Sequence, residues 1–240
     1  AESNQKDEAF IDRLALDKNR LKEICGTLVE IKSFQDPVGR ELASWNRPNG
    51  LNISRVSTPL GVIGLIFESR PNVAADAGGL CLKSGNAVIL RSGKDGLRSA
   101  TAIVKSLQDA LKQSELPRES IQIVLSESRE AATMMLEGLN GSIDVIVPRG
   151  GKSLVAEVEK SSKIPVFGHL EGICHIYVDE HADQEKALSV CLNAKMRRTG
   201  ICGAVETILV NQNIASSFIP ILIDKLNDEG CEIRGCNNIL

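Results

Sequence analysis

The sequence predicts an α/β fold built on a mostly parallel sheet. Two patterns point to it. Continuous apolar runs, PLGVIGLIFES and NAVILR, are of the kind buried on both faces of a parallel sheet, and amphipathic helical stretches alternate with further strand-like runs along the chain. Four or more βα units in series imply right-handed crossovers, and ligands on such sheets bind at the carboxyl ends of the strands.

Taken in order, residues 12–31 carry Leu14, Leu21, Ile24 and Leu28 at helical spacing, while SFQDPVGRELASWNRPNG is punctuated by proline and glycine and reads as a connector. LNISRVSTP alternates as an edge strand does. Residues 73–82, between the two buried runs, are rich in small side chains and read as helix. Residues 98–113 place Ile103, Val104, Leu107, Ala110 and Leu111 on one face, and Pro117 separates them from the strand IQIVL at 121–125. A helix over 128–139, the strand IDVIVP at 143–148, a helix over 152–160 and a short strand IPV follow. The strand CHIYVD at 174–179, a helix over 182–196 and the buried run ILV at 208–210 complete the series.

Composition narrows the function. The chain has 240 residues, 42% apolar and 25% charged, enough for one large core or two small ones. A formal charge of -3 from 28 basic and 31 acidic residues leaves no electrostatic footprint for nucleic acid, and one Trp and one Tyr offer little base stacking. No apolar run approaches the ~20 residues that cross a bilayer. The start, AESNQKDEAF, lacks a signal-peptide hydrophobic region, so a cytoplasmic location and no membrane partner are expected. The seven cysteines lack close paired spacing and are expected to be reduced thiols. Cys174, His175, Cys191 and Cys202 lack metal-ligand spacing, so no metal is expected; Cys25, Cys81, Cys191, Cys231 and Cys236 read as packing residues.

Chemistry-bearing residues collect at the strand ends. NAVILR is followed by SGKDG, where Arg91, Lys94 and Arg98 bring positive charge to the backbone of Ser92 and Gly93. IDVIVP is followed by Arg149, Gly150 and Gly151, which open a helix with free amides. Both loops suit a phosphate, and both also fit ordinary turn chemistry; neither G-x-G-x-x-G nor the P-loop pattern is present. The acid that would bind a ribose at the end of NAVILR is absent and cations stand there, which favours a 2′-phosphate and hence NADP. At the third strand end, FESRPN, a turn fixed by Pro71 follows Glu68 and Arg70, and Asn72 either caps the next helix or donates its amide to a developing oxyanion. In RRTGICGAVET, Cys202 is either one more small core residue or a thiol presented on a glycine-flanked turn, with Arg197, Arg198 and the preceding helix favouring its reactivity.

Five segments, PLGVIGLIFESRPNV, LKSGNAVILRSGK, IDVIVPRGG, GICHIYVD and GICGAVETILV, resemble in order and spacing the γ-glutamyl phosphate reductase family of the aldehyde dehydrogenase superfamily. The resemblance runs from about residue 12 to the end. It implies a Rossmann-type NADP-binding domain over 1–196, with an N-terminal helix and connector, and the start of a second α/β catalytic domain over 197–240. It also implies a small oligomerisation arm, and so a homo-oligomer. The reaction it implies is NADPH-dependent reduction of L-γ-glutamyl 5-phosphate to L-glutamate 5-semialdehyde with release of phosphate, in proline biosynthesis. The kinase that makes the labile acyl phosphate is then a natural functional partner.

Carried over by motif, the resemblance makes Cys202 the nucleophile that forms a thioester, and Asn72 the amide that holds the oxyanion with the Cys202 N–H. It places Arg91, Ser92, Gly93 and Lys94 beside the adenosine ribose, and Gly150 and Gly151, with Arg149, near the pyrophosphate. Arg70, His169 and Arg197 stand beside matched motifs as contacts to the substrate's phosphate or carboxylate. Gly168 falls where hydrolytic relatives carry a water-activating glutamate, although a shifted alignment would bring Glu171 there. The family usually has proline before the glycine and asparagine after the cysteine; here these are Thr199 and Gly203. Family members also extend further, so the chain is expected to be part of a longer protein or a truncated product, for which a non-catalytic nucleotide-binding or oligomer-forming module is the alternative function.

Overall fold

The computed structural model describes residues 11, 14–68, 70–169, 172–199 and 201–236. By contacts the chain divides into two compact units, Ala1–Leu170 and Glu171–Leu240.

In the first unit, the predicted helical stretch is interrupted at residues 15–17 before helix α1 (Lys18–Ser33), where Asp17 is extended and its carboxylate accepts the Arg20 N–H at 2.8 Å. The expected helix start at Asp12 lies outside the described residues. The predicted connector holds a strand: β1 (Glu41–Asn46) pairs antiparallel with β2 (Asn52–Val56). Of its two prolines and two glycines, Pro48 and Gly50 belong to the hairpin turn, where the Gly50 N–H donates to the Arg47 carbonyl at 2.9 Å and Gly50 takes φ 85°. Every residue of β1 is exposed, so no buried face imposes the alternation by which a strand is read.

A four-stranded parallel sheet in the order β5-β4-β3-β6 follows. Central β3 (Val62–Phe67) buries five consecutive residues, as its continuous apolar run requires. Gly64 lets β6 approach closely there, since a Cβ would meet Ile146 Cδ1 at 2.5 Å and force that side chain to shift. Helix α2 (Val73–Lys83) packs on the sheet through Ala74, Ala77 and Cys81. Strand β4 (Ala87–Ser92), helix α3 (Leu97–Gln113) and short β5 (Ile121–Ile123) come next, then α4 (Arg129–Leu136), β6 (Val145–Arg149) and α5 (Lys152–Ser161). The predicted strand at IPV is a single bridge between Val166 and Ile146.

The sheet is covered on both faces. Ile63, Leu65 and Phe67 share a core with Ala74, Ala77, Ala100 and Val104, so α2 and α3 lie on one side. Ile66 and Ile146 share the other with Met135, Leu136 and Val158, from α4 and α5. This is the doubly wound arrangement expected of the sequence.

The second unit is a parallel βαβ with one further helix: β7 (Cys174–Val178), α6 (Gln184–Met196), β8 (Val205–Val210) and α7 (Gln212–Asp228). Val178, Cys191, Phe218, Leu222 and Leu226 form its core. Helix α7, past the last strand read from the sequence, is capped by Asn211, whose side chain accepts the Asn213 N–H at 2.9 Å. The division between units therefore falls well before the boundary at 196/197 drawn from the sequence. The reason is pairing: β7 bonds to β8 and α6 packs on that pair, so both go with the second unit. Among the described residues no helix is long and apolar enough to cross a membrane.

Candidate functional site

The sheet order reverses at β3. The chain leaves β3 for β4 on one side, whereas β6 returns on the other, and the helices after β3 and β6 pack on opposite faces. Such a switch point opens a crevice at the carboxyl ends of the two strands. Register brings the predicted loops there, because Phe67 pairs with both Ser92 and Arg149. The Gly93 N–H donates to the Phe67 carbonyl at 2.8 Å, and the Glu68 N–H to the Arg149 carbonyl at 3.1 Å.

At the end of β6, Gly151 stands before the first turn of α5 and has no side chain to cap it. The amides expected to be free are partly taken: Glu68 Oε2 accepts the Gly151 N–H at 3.2 Å. A carboxylate satisfies both an orphan donor and the positive end of the helix dipole. Gly150 permits this approach, since a Cβ on it would lie 2.7 Å from Glu68 Oε2 and 2.6 Å from Leu154 Cδ2. Arg149 is exposed beside them.

At the end of β4, Arg91 is half-buried and its Nη2 donates to the Ser128 carbonyl at 3.1 Å. Its Nε is buried without a partner among the described residues, and burial pushes the guanidinium below its ordinary pKa. Ser92 is buried and donates to the Gly93 carbonyl at 3.0 Å. Lys94 is exposed and pairs with Glu127 at 3.4 Å. Both cations thus reach the loop after β5, to which the sequence reading assigned nothing. The signal that would have found it is the order of parallel strands, since neighbours β4 and β5 must end on the same edge.

At the end of β3, buried Pro71 anchors the turn into α2. Asn72 occupies the N-cap position but is already helical in backbone and makes no side-chain cap. Its Nδ2 instead donates to Asp76 Oδ2 at 3.1 Å, which uses one of its two N–H groups. Burial pushes the Asp76 carboxyl above its ordinary pKa, and the Asn72 bond partly offsets this. Arg70 and His169 are exposed. Gly168 is exposed as well, and Glu171 lies outside the described residues.

In the second unit Cys202 is an exposed free thiol on the turn between α6 and β8, so the core reading of this residue fails. The Ala204 N–H closes the turn on the Ile201 carbonyl at 3.1 Å, and Cys174 Sγ donates to the Cys202 carbonyl at 3.4 Å. Arg197 and Thr199 are exposed on the approach. Helix α6 ends rather than begins here, so the end nearest in sequence is the negative one and does not favour an anion as the sequence reading supposed. A Cβ at Gly203 would meet open space, so neither packing nor backbone demands glycine there. The turn lies at the amino-terminal edge of the β7–β8 pair, since Cys174 pairs with Val205. Asn72 and the loops after β4 and β6 belong to the first unit, Cys202 and Arg197 to the second. Among the described residues no group of three His, Cys, Asp or Glu could hold a metal ion.

The sequence profile described as the aldehyde dehydrogenase family matches residues 21–229. The γ-glutamyl phosphate reductase of Rhizobium etli is 57% identical over 232 residues, 97% of this chain and 54% of that protein. That of Brucella suis is 55% identical over 240 residues, 100% of this chain and 57% of that protein. The crystal structure of the γ-glutamyl phosphate reductase of Thermotoga maritima matches with a TM-score of 0.90 at 40% identity, over 100% of this chain and 57% of that one. The chain spans little more than half the length of these relatives.

Proposed function

The chain belongs to the aldehyde dehydrogenase family, and from that premise we propose that it is the cofactor-binding and nucleophile-bearing part of an NADPH-dependent reductase of L-γ-glutamyl 5-phosphate. The observation that carries the reading is the match, over nearly the whole chain, to curated γ-glutamyl phosphate reductases. The donors in the first unit suit an anionic dinucleotide: Glu68 and Glu127 engage the Gly151 amide and Lys94 as an anion would, and the buried Arg91 Nε offers a further N–H. Gly150 and Gly151, with Arg149, would hold the pyrophosphate. Arg91, Ser92, Gly93 and Lys94 would hold the adenosine ribose and its 2′-phosphate. When bound, NADPH supplies the hydride that reduces the thioester.

The chain's own residues do the rest. The Cys202 thiolate attacks the acyl carbon, the C–O bond to phosphate breaks, and phosphate leaves with that electron pair. Asn72, which gives one N–H to Asp76 and keeps the other, and the Cys202 N–H are the donors that the family motifs assign to the oxyanion. After reduction the C–S bond of the hemithioacetal breaks, which releases L-glutamate 5-semialdehyde and restores the thiolate. With glycine at 168, no carboxylate at that position activates water against the thioester. Arg70, His169 and Arg197 are assigned to the substrate's phosphate and carboxylate.

The exposed β1–β2 hairpin, with Leu42, Trp45, Leu51 and Val56 open to solvent, suits the arm of a homo-oligomer. The lability of an acyl phosphate favours handover from the glutamate kinase that makes it, as a step of proline biosynthesis. The test runs the reaction backwards, following NADPH formed from glutamate semialdehyde, phosphate and NADP by the encoded protein and its Cys202→Ser variant. Phosphate-dependent activity that the variant loses is expected. Its absence in the unaltered protein overturns the reading in favour of a non-catalytic nucleotide-binding module.

A further inference from the structure

We propose that Glu127, on the loop after β5, sets how strongly the site distinguishes a 2′-phosphate from a 2′-hydroxyl on the adenosine ribose. This rests on the NADP reading above and adds a residue outside the matched segments. Lys94, the exposed cation assigned to the 2′-phosphate, already has a partner: its Nζ lies 3.4 Å from Glu127 Oε2. The loop that carries Glu127 is fastened to the same strand end, through the Arg91 Nη2 bond to the Ser128 carbonyl at 3.1 Å. It is also closed on itself. Ser126 Oγ accepts the Ser128 N–H at 3.2 Å and donates to Ser128 Oγ at 3.0 Å, and Ser128 Oγ in turn accepts the Ala131 N–H of α4 at 3.2 Å. The loop that carries Glu127 is thus held near Lys94, and the ion pair is the contact that its side chain makes there.

The two ribose forms meet this arrangement differently. A 2′-phosphate must take Lys94 from Glu127, and then lies beside a carboxylate of its own sign. A 2′-hydroxyl can donate to that carboxylate and leave the ion pair whole. Arg91 and Lys94 therefore draw the phosphate while Glu127 restrains the preference, and the balance among the three determines the cofactor selectivity. Both partners of the pair are well exposed, so the effect is moderate and sensitive to salt.

The test is direct binding, free of catalysis: calorimetric titration of the chain with adenosine 2′,5′-bisphosphate and with 5′-AMP, for the unaltered protein, Glu127→Gln and Lys94→Ala. Glu127→Gln is expected to raise the affinity for the bisphosphate about three- to tenfold over that for 5′-AMP at low salt, with the gain shrinking as salt is added. An unaltered protein that favours the bisphosphate, loses that preference in Lys94→Ala and keeps it unchanged in Glu127→Gln overturns the role of Glu127 alone. An unaltered protein with no preference for the bisphosphate overturns the NADP reading, and the inference with it.

Discussion

Cys174 Sγ donates to the carbonyl oxygen of Cys202 across 3.4 Å, which ties the first residue of β7 to the turn that presents the exposed thiol. Thiols are weak donors, so Cys174→Ala should cost the fold only about 0.5–1 kcal/mol. The turn should loosen nonetheless. Alkylation of Cys202 by iodoacetamide, followed by mass spectrometry, should change about two- to fivefold, and Cys174→Ser should restore much of it. Equal rates in all three proteins would show that the contact does not position the turn.

Burial separates the thiols into classes. Cys81 is buried and its pKa is pushed up to about 11, and burial raises Cys191 too, whereas Cys25, Cys202 and Cys236 are exposed. Brief alkylation near neutral pH should therefore label the exposed three and spare Cys81 and Cys191 until denaturant is added. A thiol whose folded pKa lies above its unfolded one adds stability at low pH and loses it as the thiolate forms. Denaturation midpoints should accordingly fall as pH rises from about 9 through about 11. Cys81→Ala should flatten that decline, even though it lowers the midpoint itself.

Glu68 caps α5 with a charge. Glu68→Gln weakens that cap and should cost about 0.3–1 kcal/mol. It also removes the anion that competes for the Gly151 amide, so ADP should bind several-fold more tightly in calorimetry, on the order of the dipole and Coulomb terms involved. Unchanged or weaker ADP binding would move the pyrophosphate away from this helix start.

Two glycines should respond in opposite ways. At Gly203 an added side chain enters open space, so Gly203→Asn should leave the melting temperature nearly unchanged and reveal in its kinetics what the residue after Cys202 contributes. At Gly64 a Cβ would press on Ile146 Cδ1 at 2.5 Å and on Ile143 Cγ2 at 3.1 Å, both in a filled core. Gly64→Ala should cost about 1–3 kcal/mol in chemical denaturation.

The parallel sheet was legible because its strands are buried on both faces and so write uninterrupted apolar runs, as in Val62–Phe67. Strand β1 was not, because a strand exposed at every residue carries no burial pattern. The cations Arg91 and Lys94 could be picked out by residue type and position, but not their partners. Ser128 and Glu127 lie 37 and 33 residues further along the chain and come near only through the β4–β5 pairing. Glu68 stood in view beside the right strand. Its role was hidden because contact with Gly151, 83 positions away, depends on β6 returning beside β3. For Asn72, local sequence favoured a cap, and the helical backbone at that residue turned the side chain to Asp76 instead.

Strand β3 bonds to neighbours on both sides, whereas β8 has, among the described residues, a single partner. Backbone amides report that difference through exchange with deuterium. Those of Gly64, Leu65 and Ile66 should open only when the whole first unit does, and those along Val205–Val210 through smaller, more frequent excursions. The turn holding Cys202 is hinged to the quickly exchanging strand, so its thiol should sample orientations on a timescale that the slowly exchanging end of β3, with Glu68 and Asn72, does not share.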